Sequence, residues 1–326
     1  VNHRVGPGET ASRFFQPAPE AGSKPSNVCD RGARVPDAAV PTVQWELCMT
    51  DQVWTDNIGS GPTIATAVHD GHHARDEVLR LFAIGDEERT REEDPFTAHW
   101  TTLAPTRVIG LRSRFEVDLN RPRDKAVYRT PEDAWGLTVW SEDLPDDVAQ
   151  RSLDEYDLFY TRLKEVLAGK AETHGRFVVF DLHTYNHRRQ GVDGPPADVA
   201  GNPQVNIGTG TMDRTRWAPV VDRFIGDLKD FNFPGGGLDV RENVKFFGGN
   251  MARWIHETFP ESGCCISIEF KKFFMDEWTG EPNPEQVDGI GSALGWTVSG
   301  VQEEVERLGT MAMSTAEAPD RHFAVD

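Results

Sequence analysis

The segment "AVHDGHHARDEV", residues 67–78, places three of the chain's ten histidines at the end of the apolar run "PTIATAV". His69 and His72 flank Gly71, and a sharp turn at the glycine lets two imidazoles three residues apart reach one ion. His183, at the end of "RFVVFDLHTY", can supply a third nitrogen from another strand. Three protein ligands and one open position is the arrangement of a catalytic zinc, whereas a structural zinc is closed by a fourth ligand, usually sulfur. His73 competes with His72 for the second place, and His187 reads as a loop residue.

Two further stretches carry chemistry. In "EVDLNR", Asp118 and Asn120 stand two apart and share a face if the segment is a strand. A carboxylate there can accept the second N–H of a metal-bound imidazole and fix its tautomer. Arg114, Asn120 and Arg121 suit an anionic substrate, arginine in particular through a two-pronged grip on a carboxylate. Glu269 lies inside "CCISIEF", an apolar strand where a carboxylate costs free energy unless it is paired or used, so it is the candidate general base.

These side chains act together only if the elements between them bring them to one place. Periodicity predicts a strand over "TIATAVH", a helix over "ARDEVLRLFAI" and an extended segment over "TRVIGLRSRFEVDLNR". An amphipathic helix is expected over residues 146–169, with Leu153, Tyr156, Phe159, Tyr160, Leu163 and Val166 on one face, then the strand "RFVVFDLHTY". After a Gly/Pro-rich loop at 190–211 come helix "RTRWAPVVDRFIGDL", strand "ENVKFF", helix "NMARWIHETF", strand "CCISIEF" and a final helix near 284–307. The charge-dense "IGDEERTREEDPF" reads as a solvated connection. Short apolar strands alternating with helices predict an α/β fold, with a mixed, largely parallel central sheet covered on both faces. In such a sheet ligands bind beyond the carboxyl ends of the strands. "HDGHH", "EVDLNR", "DLHTYNH" and "IEFKK" all fall at such ends, which points to one assembled site. Residues 1–41, rich in Pro, Gly, Ala and Ser, read as an extended arm, and residues 42–326 as a single α/β domain that carries the candidate metal site.

Composition narrows the partners. With 34 basic and 53 acidic residues the formal charge is -19, which argues against nucleic acid and anionic membranes as ligands. The four cysteines form no CxxC, so neither a cysteine zinc site nor a disulfide scaffold is expected, and Cys264 and Cys265 should point to opposite faces of a buried strand. No window reaches the ~18 apolar residues of a membrane span and the start lacks an apolar leader core, so a cytoplasmic location is expected.

The order HxxH, VDLNR, DLHTY, IEFKK, spanning about residues 62–275, resembles the N-formylglutamate amidohydrolase family, similar in fold to the zinc carboxypeptidases and aspartoacylase. The resemblance implies one Zn2+ per chain, or another divalent transition metal, with His69 and His183 as ligands. His72 falls where the carboxypeptidases place glutamate, which implies an all-imidazole site. It further implies Asp118 as partner of a ligand histidine, Asn120 and Arg121 as binders of the substrate carboxylate, an oxyanion-stabilising arginine at Arg114 or the equally close Arg112, and Glu269 as base. The reaction implied is metal-assisted hydrolysis of the amide of a small anionic N-formyl or N-acyl amino acid. The alternatives are a carboxypeptidase-like peptide hydrolase and a non-catalytic binding module on the same fold.

Overall fold

The computed structural model describes the backbone of residues 52–316 and the side chains of residues 52–309. The arm expected at 1–41 lies outside the described residues, as do Cys29 and Cys48.

Seven strands form one sheet: β1 (Trp54–Asn57), β2 (Thr63–Ala67), β3 (Thr106–Gly110), β4 (Phe177–Tyr185), β5 (Val205–Gly208), β6 (Val240–Glu242) and β7 (Gly263–Lys271). Their order is β1-β3-β2-β4-β7-β5-β6. The four central strands β3, β2, β4 and β7 run parallel; β1 pairs antiparallel with β3, and β5 antiparallel with β7, with β6 parallel to β5. The sheet is thus mixed and mostly parallel.

Both faces are covered, which is why β4 reads as a near-continuous apolar run and is buried along its whole length. Alternate residues of the central strands go to different cores. Val178, Phe180 and Leu182 of β4, with Cys264, Ile266 and Ile268 of β7, join a cluster with Phe224 and Leu294. Those two come from helices Ala218–Asp230 and Pro284–Ala316. Phe177, Val179 and Cys265 join the opposite cluster with Phe159, Leu163 and Ile255. The adjacent cysteines therefore part to opposite faces, as the strand period requires.

Phe159 and Leu163 belong to the long helix Asp146–His174, which starts behind Pro145 with Asp146 and Asp147 in its first turn and ends at Gly175, whose φ of 73° a glycine adopts without a Cβ clash. Ile255 comes from Asn250–Thr258.

Several expected elements differ. The helix expected over residues 74–84 is one turn, Asp76–Leu79; Phe82 beyond it stacks on Trp140 at 5.2 Å. "ENVKFF" contributes only its first residue to a strand, since β6 ends at Glu242, and β5 lies within the stretch read as loop. The segment after β3 is not extended: the amides of Glu116 and Val117 both return to Ser113 O at 3.0 and 3.2 Å, a turn that no alternation of apolar residues reveals. The "solvated connection" contains helix Asp86–Glu92 and three buried acids, Glu92, Glu93 and Asp94.

Candidate metal centre

The three central strands β2, β4 and β7 are neighbours in the sheet, and each delivers a side chain to the same end. His69 lies two residues past β2. His183 is in β4, and Glu269 of β7 stands opposite it in register. A third donor arrives from the connection after Asp86–Glu92: Asp94 Oδ2 is 3.2 Å from His69 Nδ1 and 3.1 Å from His183 Nδ1. Donor atoms of His69, Asp94 and His183 lie within 4.8 Å of one another, and all three residues are buried, which makes this a group able to hold a metal ion.

The far side of each imidazole faces another carboxylate. His69 Nε2 lies 2.8 Å from Asp118 Oδ1, and His183 Nε2 lies 3.1 Å from Asp181 Oδ2. With Nε2 of both rings turned toward those acids, Nδ1 of both rings faces Asp94, so an ion there would take the place of the Nδ1 protons while the outer carboxylates orient the rings. Two imidazoles and one carboxylate with room for another ligand is a donor set that fits zinc and several other divalent ions.

Charge pairing keeps these acids ionised in spite of burial. For Asp94 burial works to raise the pKa, but hydrogen bonds from His183 and His69 outweigh it and hold the carboxyl well below the usual range. Asp118 is likewise opposed by burial and held low by the Arg114 guanidinium and by His69. Arg114 donates to Asp118 Oδ2 at 2.8 Å, and Tyr128 donates its hydroxyl to the same oxygen. His183 is pushed the other way: burial lowers its pKa, and the charge of Asp181 more than restores it. Glu269 lacks such a partner, so burial pushes its carboxyl up to about 7, with His183 opposing and Asp94 adding to the rise.

His69, Asp94, Arg114, Asn120, Arg121, His183 and Glu269 all line one cavity of about 430 Å³. Asn120 is held through its Oδ1, which accepts the Met251 amide at 2.9 Å, and its Nδ2 comes within 3.3 Å of His183 Nε2. Gly249 packs against it so closely that an added Cβ would meet Asn120 Nδ2 at 2.3 Å. Gly249→Ala should therefore displace Asn120 and lower kcat/KM by about 10²-fold, the cost of a misplacement near 1 Å, while metal content stays the same. Equal loss of metal and activity would mean that the glycine is needed for folding instead. Arg121 is half-buried, with Nη2 donating to Asp133 O at 3.3 Å and its guanidinium 5.7 Å from the ring of Trp135.

His72 is not part of the group. Gly71 passes against the Leu111 backbone, where a Cβ would lie 2.3 Å from a carbonyl carbon, and His73 N donates to Leu111 O at 3.1 Å. The chain thus continues beside residues 111–112 instead of reversing, and the turn needed to bring the two imidazoles together does not form. The His72 ring pairs with Glu93 at 2.5 Å and Asp86 at 2.9 Å. The group able to hold an ion is thus two imidazoles and a carboxylate, and the His72 ring is not among its donors. His73 is exposed and does not line the cavity either, and Arg112 is turned toward Glu155, leaving Arg114 as the arginine of that pair at the cavity. Asp118 and Asn120 meet the site from a turn, the Asn120 amide donating to Asp118 Oδ1 at 2.9 Å, and not from a strand face.

Asp94 carried a weak sequence signal. It is the last acid of "DEERTREED" before Pro95, and only the structure separates it from the exposed acids ahead of it. Each of the three buried acids has its own partner: Glu92 pairs with Arg189, Glu93 with Ser113 and His72, Asp94 with the histidines. Lys272 anchors this stretch, its Nζ donating to Arg91 O at 2.6 Å and Glu93 O at 2.8 Å.

A mixed, mostly parallel sheet whose strand ends gather two imidazoles and a carboxylate, with a further carboxylate in the adjacent strand, defines an α/β framework with a metal-capable site. The family model described as N-formylglutamate amidohydrolase matches residues 61–275, well over half of the chain, and the chain belongs to that family. Its structure is similar to the crystal structure of N-formylglutamate amidohydrolase from Ralstonia eutropha JMP134, at 15% identity and a TM-score of 0.58, over 81% of this chain and 99% of that one. A gene product of Agrobacterium tumefaciens is similar at 17% identity and a TM-score of 0.54, over 83% of this chain and 98% of that one. At these identities the likeness is one of fold. No curated protein matches the chain significantly. No helix among the described residues is long and apolar enough to cross a membrane.

Proposed function

We propose that this protein is a metal-dependent amidohydrolase that cleaves the amide of a small anionic N-formyl or N-acyl amino acid. The observation that carries the reading is the convergence of His69, Asp94 and His183 beside Glu269 in a cavity that also presents Asn120 and Arg121. His69, Asp94 and His183 would hold the ion. A zinc-like ion supplies Lewis acidity toward a carbonyl and makes water a stronger acid near neutral pH.

The chain's own residues do the rest. Glu269, with a carboxyl raised to about 7, is matched to taking a proton from water at neutral pH and returning it to the departing nitrogen. Arg114, locked by Asp118 and Tyr128, is a preorganised cation for the oxyanion, a kind of contribution typically worth about 3 kcal/mol of barrier. Asn120 and Arg121 orient the substrate through its carboxylate. The direct test is formate release from N-formyl-L-glutamate by metal-loaded protein; no release from any of a panel of N-formyl and N-acyl amino acids would overturn the reading.

Arg121 makes a separate demand. Its position beside Trp135, with only a 3.8 Å approach to Asp118, leaves donors for an incoming carboxylate. Arg121→Ala should raise KM by about tenfold more for N-formyl amino acids than for their α-carboxamides, since a hydrogen-bonded charge pair is lost only in the first case. Equal effects on both would remove Arg121 from the anion-binding role.

A further inference from the structure

Among the described residues three that are not glycine have a left-handed backbone: Phe96, Trp135 and Asn243. Asparagine adopts that conformation readily, and the Phe96 ring packs on the main core beside Phe274 at 6.0 Å. Neither account serves Trp135, a bulky residue at φ 57° that leaves 49% of its surface exposed. It ends the short 3-10 helix Pro131–Ala134, a place that glycine usually takes, and a glycine, Gly136, follows directly at φ 96°. Backbone strain that core packing does not offset points to what the side chain touches.

The indole lies on the wall of the cavity, its ring centre 4.8 Å from the Arg114 guanidinium and 5.7 Å from that of Arg121. One side chain thus meets both cations that the proposed reaction uses. The two differ in what else holds them. Arg114 donates to Asp118 Oδ2 at 2.8 Å and to the Tyr128 hydroxyl at 3.4 Å. Arg121 has no such clamp: Nη2 donates to Asp133 O at 3.3 Å, Nε stays 3.8 Å from Asp118, and the rings of Tyr128 and Trp135 flank the guanidinium. Asp133 belongs to the same turn as Trp135, so that turn reaches Arg121 twice, through a carbonyl and through the indole. The turn is itself fixed, by a capping box between Thr130 and Asp133 and by the Gly136 amide returning to Pro131 O at 2.7 Å.

We propose that Trp135 is a positioning residue, whose indole holds the Arg121 guanidinium so that its remaining donors face the substrate carboxylate. That the anion is a substrate carboxylate rests on the amidohydrolase reading; the hold of the indole on the guanidinium does not.

Trp135→Gly removes the indole and places at φ 57° the residue that adopts it most easily, so the melting temperature should stay within about 3 °C of wild type. KM for N-formyl amino acids should rise about fivefold more than KM for their α-carboxamides, with kcat changed by less than about threefold, because Arg114 keeps its own partners. Trp135→Phe should recover most of the difference, and Trp135→Leu, apolar but without a π face, should not. A second readout needs no turnover. Labelling of Arg121 by phenylglyoxal in zinc-reconstituted protein, located by mass spectrometry, should be about fivefold faster in Trp135→Gly than in wild type. A larger fall in melting temperature, an unchanged KM ratio or an unchanged labelling rate would overturn the assignment. If wild-type protein hydrolyses none of the N-formyl and N-acyl compounds the amidohydrolase reading fails, while the labelling rate still decides whether Trp135 holds Arg121.

Discussion

Replacing Glu269 by Gln should leave metal content at the wild-type level and reduce turnover by about 10²–10⁴-fold, the range expected when a positioned acid–base group is lost. The amide is close in size and polarity to the carboxylate, so β7, buried on both sides of this position, has no packing reason to change. Glu269 stands opposite His183 in register but is not one of the three donors that converge, so an ion has no cause to leave with it. What the variant loses is a group whose burial has raised its carboxyl to about 7, at which it can accept and donate a proton near neutral pH. Hydrolysis within a fewfold of wild type would remove Glu269 from the base role and turn attention to the other acids of the cavity.

The second large effect is expected at a residue whose importance the sequence concealed. Asp94→Ala should abolish both metal binding and activity, whereas His72→Ala should leave metal content as it is. Asp94 Oδ2 is the point on which both Nδ1 atoms converge, and removing it leaves two buried imidazoles without their shared partner. Breaking such a buried, charge-paired contact typically costs about 3–5 kcal/mol, so some loss of stability accompanies the loss of metal. Asp94→Asn, which keeps the shape and two hydrogen-bonding positions, separates the two: it should fold normally and still bind metal far more weakly. His72, half-exposed and paired with Glu93 and Asp86, belongs to a network beside the centre. Metal lost from His72→Ala but kept by Asp94→Ala would reverse the assignment.

The contrast between those two residues shows what the chain made legible. The strands that carry His183 and Glu269 were plain because both faces of β4 and β7 are buried, which leaves continuous apolar runs that end at the polar side chain. The helix Asp146–His174 was plain because its apolar stripe is buried along most of its length, Val148 and Ala149 in one cluster and Tyr156 to Leu167 in the next. His69 and Asp118 were found by residue type, and the structure brings them to within 2.8 Å of each other. Spacing failed where it had to stand in for backbone path. HxxH suggested a shared ion, but the chain at Gly71 runs on beside Leu111, and three residues along it carried His72 away. Asp94 sat in a run of charge whose usual meaning is solvent, and its burial depends on partners 25 and 89 residues away in sequence.

The central claim is that His69, Asp94 and His183 hold a metal ion on which activity depends. Elemental analysis of the purified protein beside a His69→Ala/His183→Ala variant tests it most directly, after reconstitution of both with zinc and removal of loosely held ions. The account predicts about one ion per chain in the wild type and none retained by the variant, since a donor set reduced to one carboxylate cannot compete with water. No bound metal in reconstituted wild-type protein, or an undiminished content in the variant, would contradict it and leave the buried cluster as a structural network of histidines and acids.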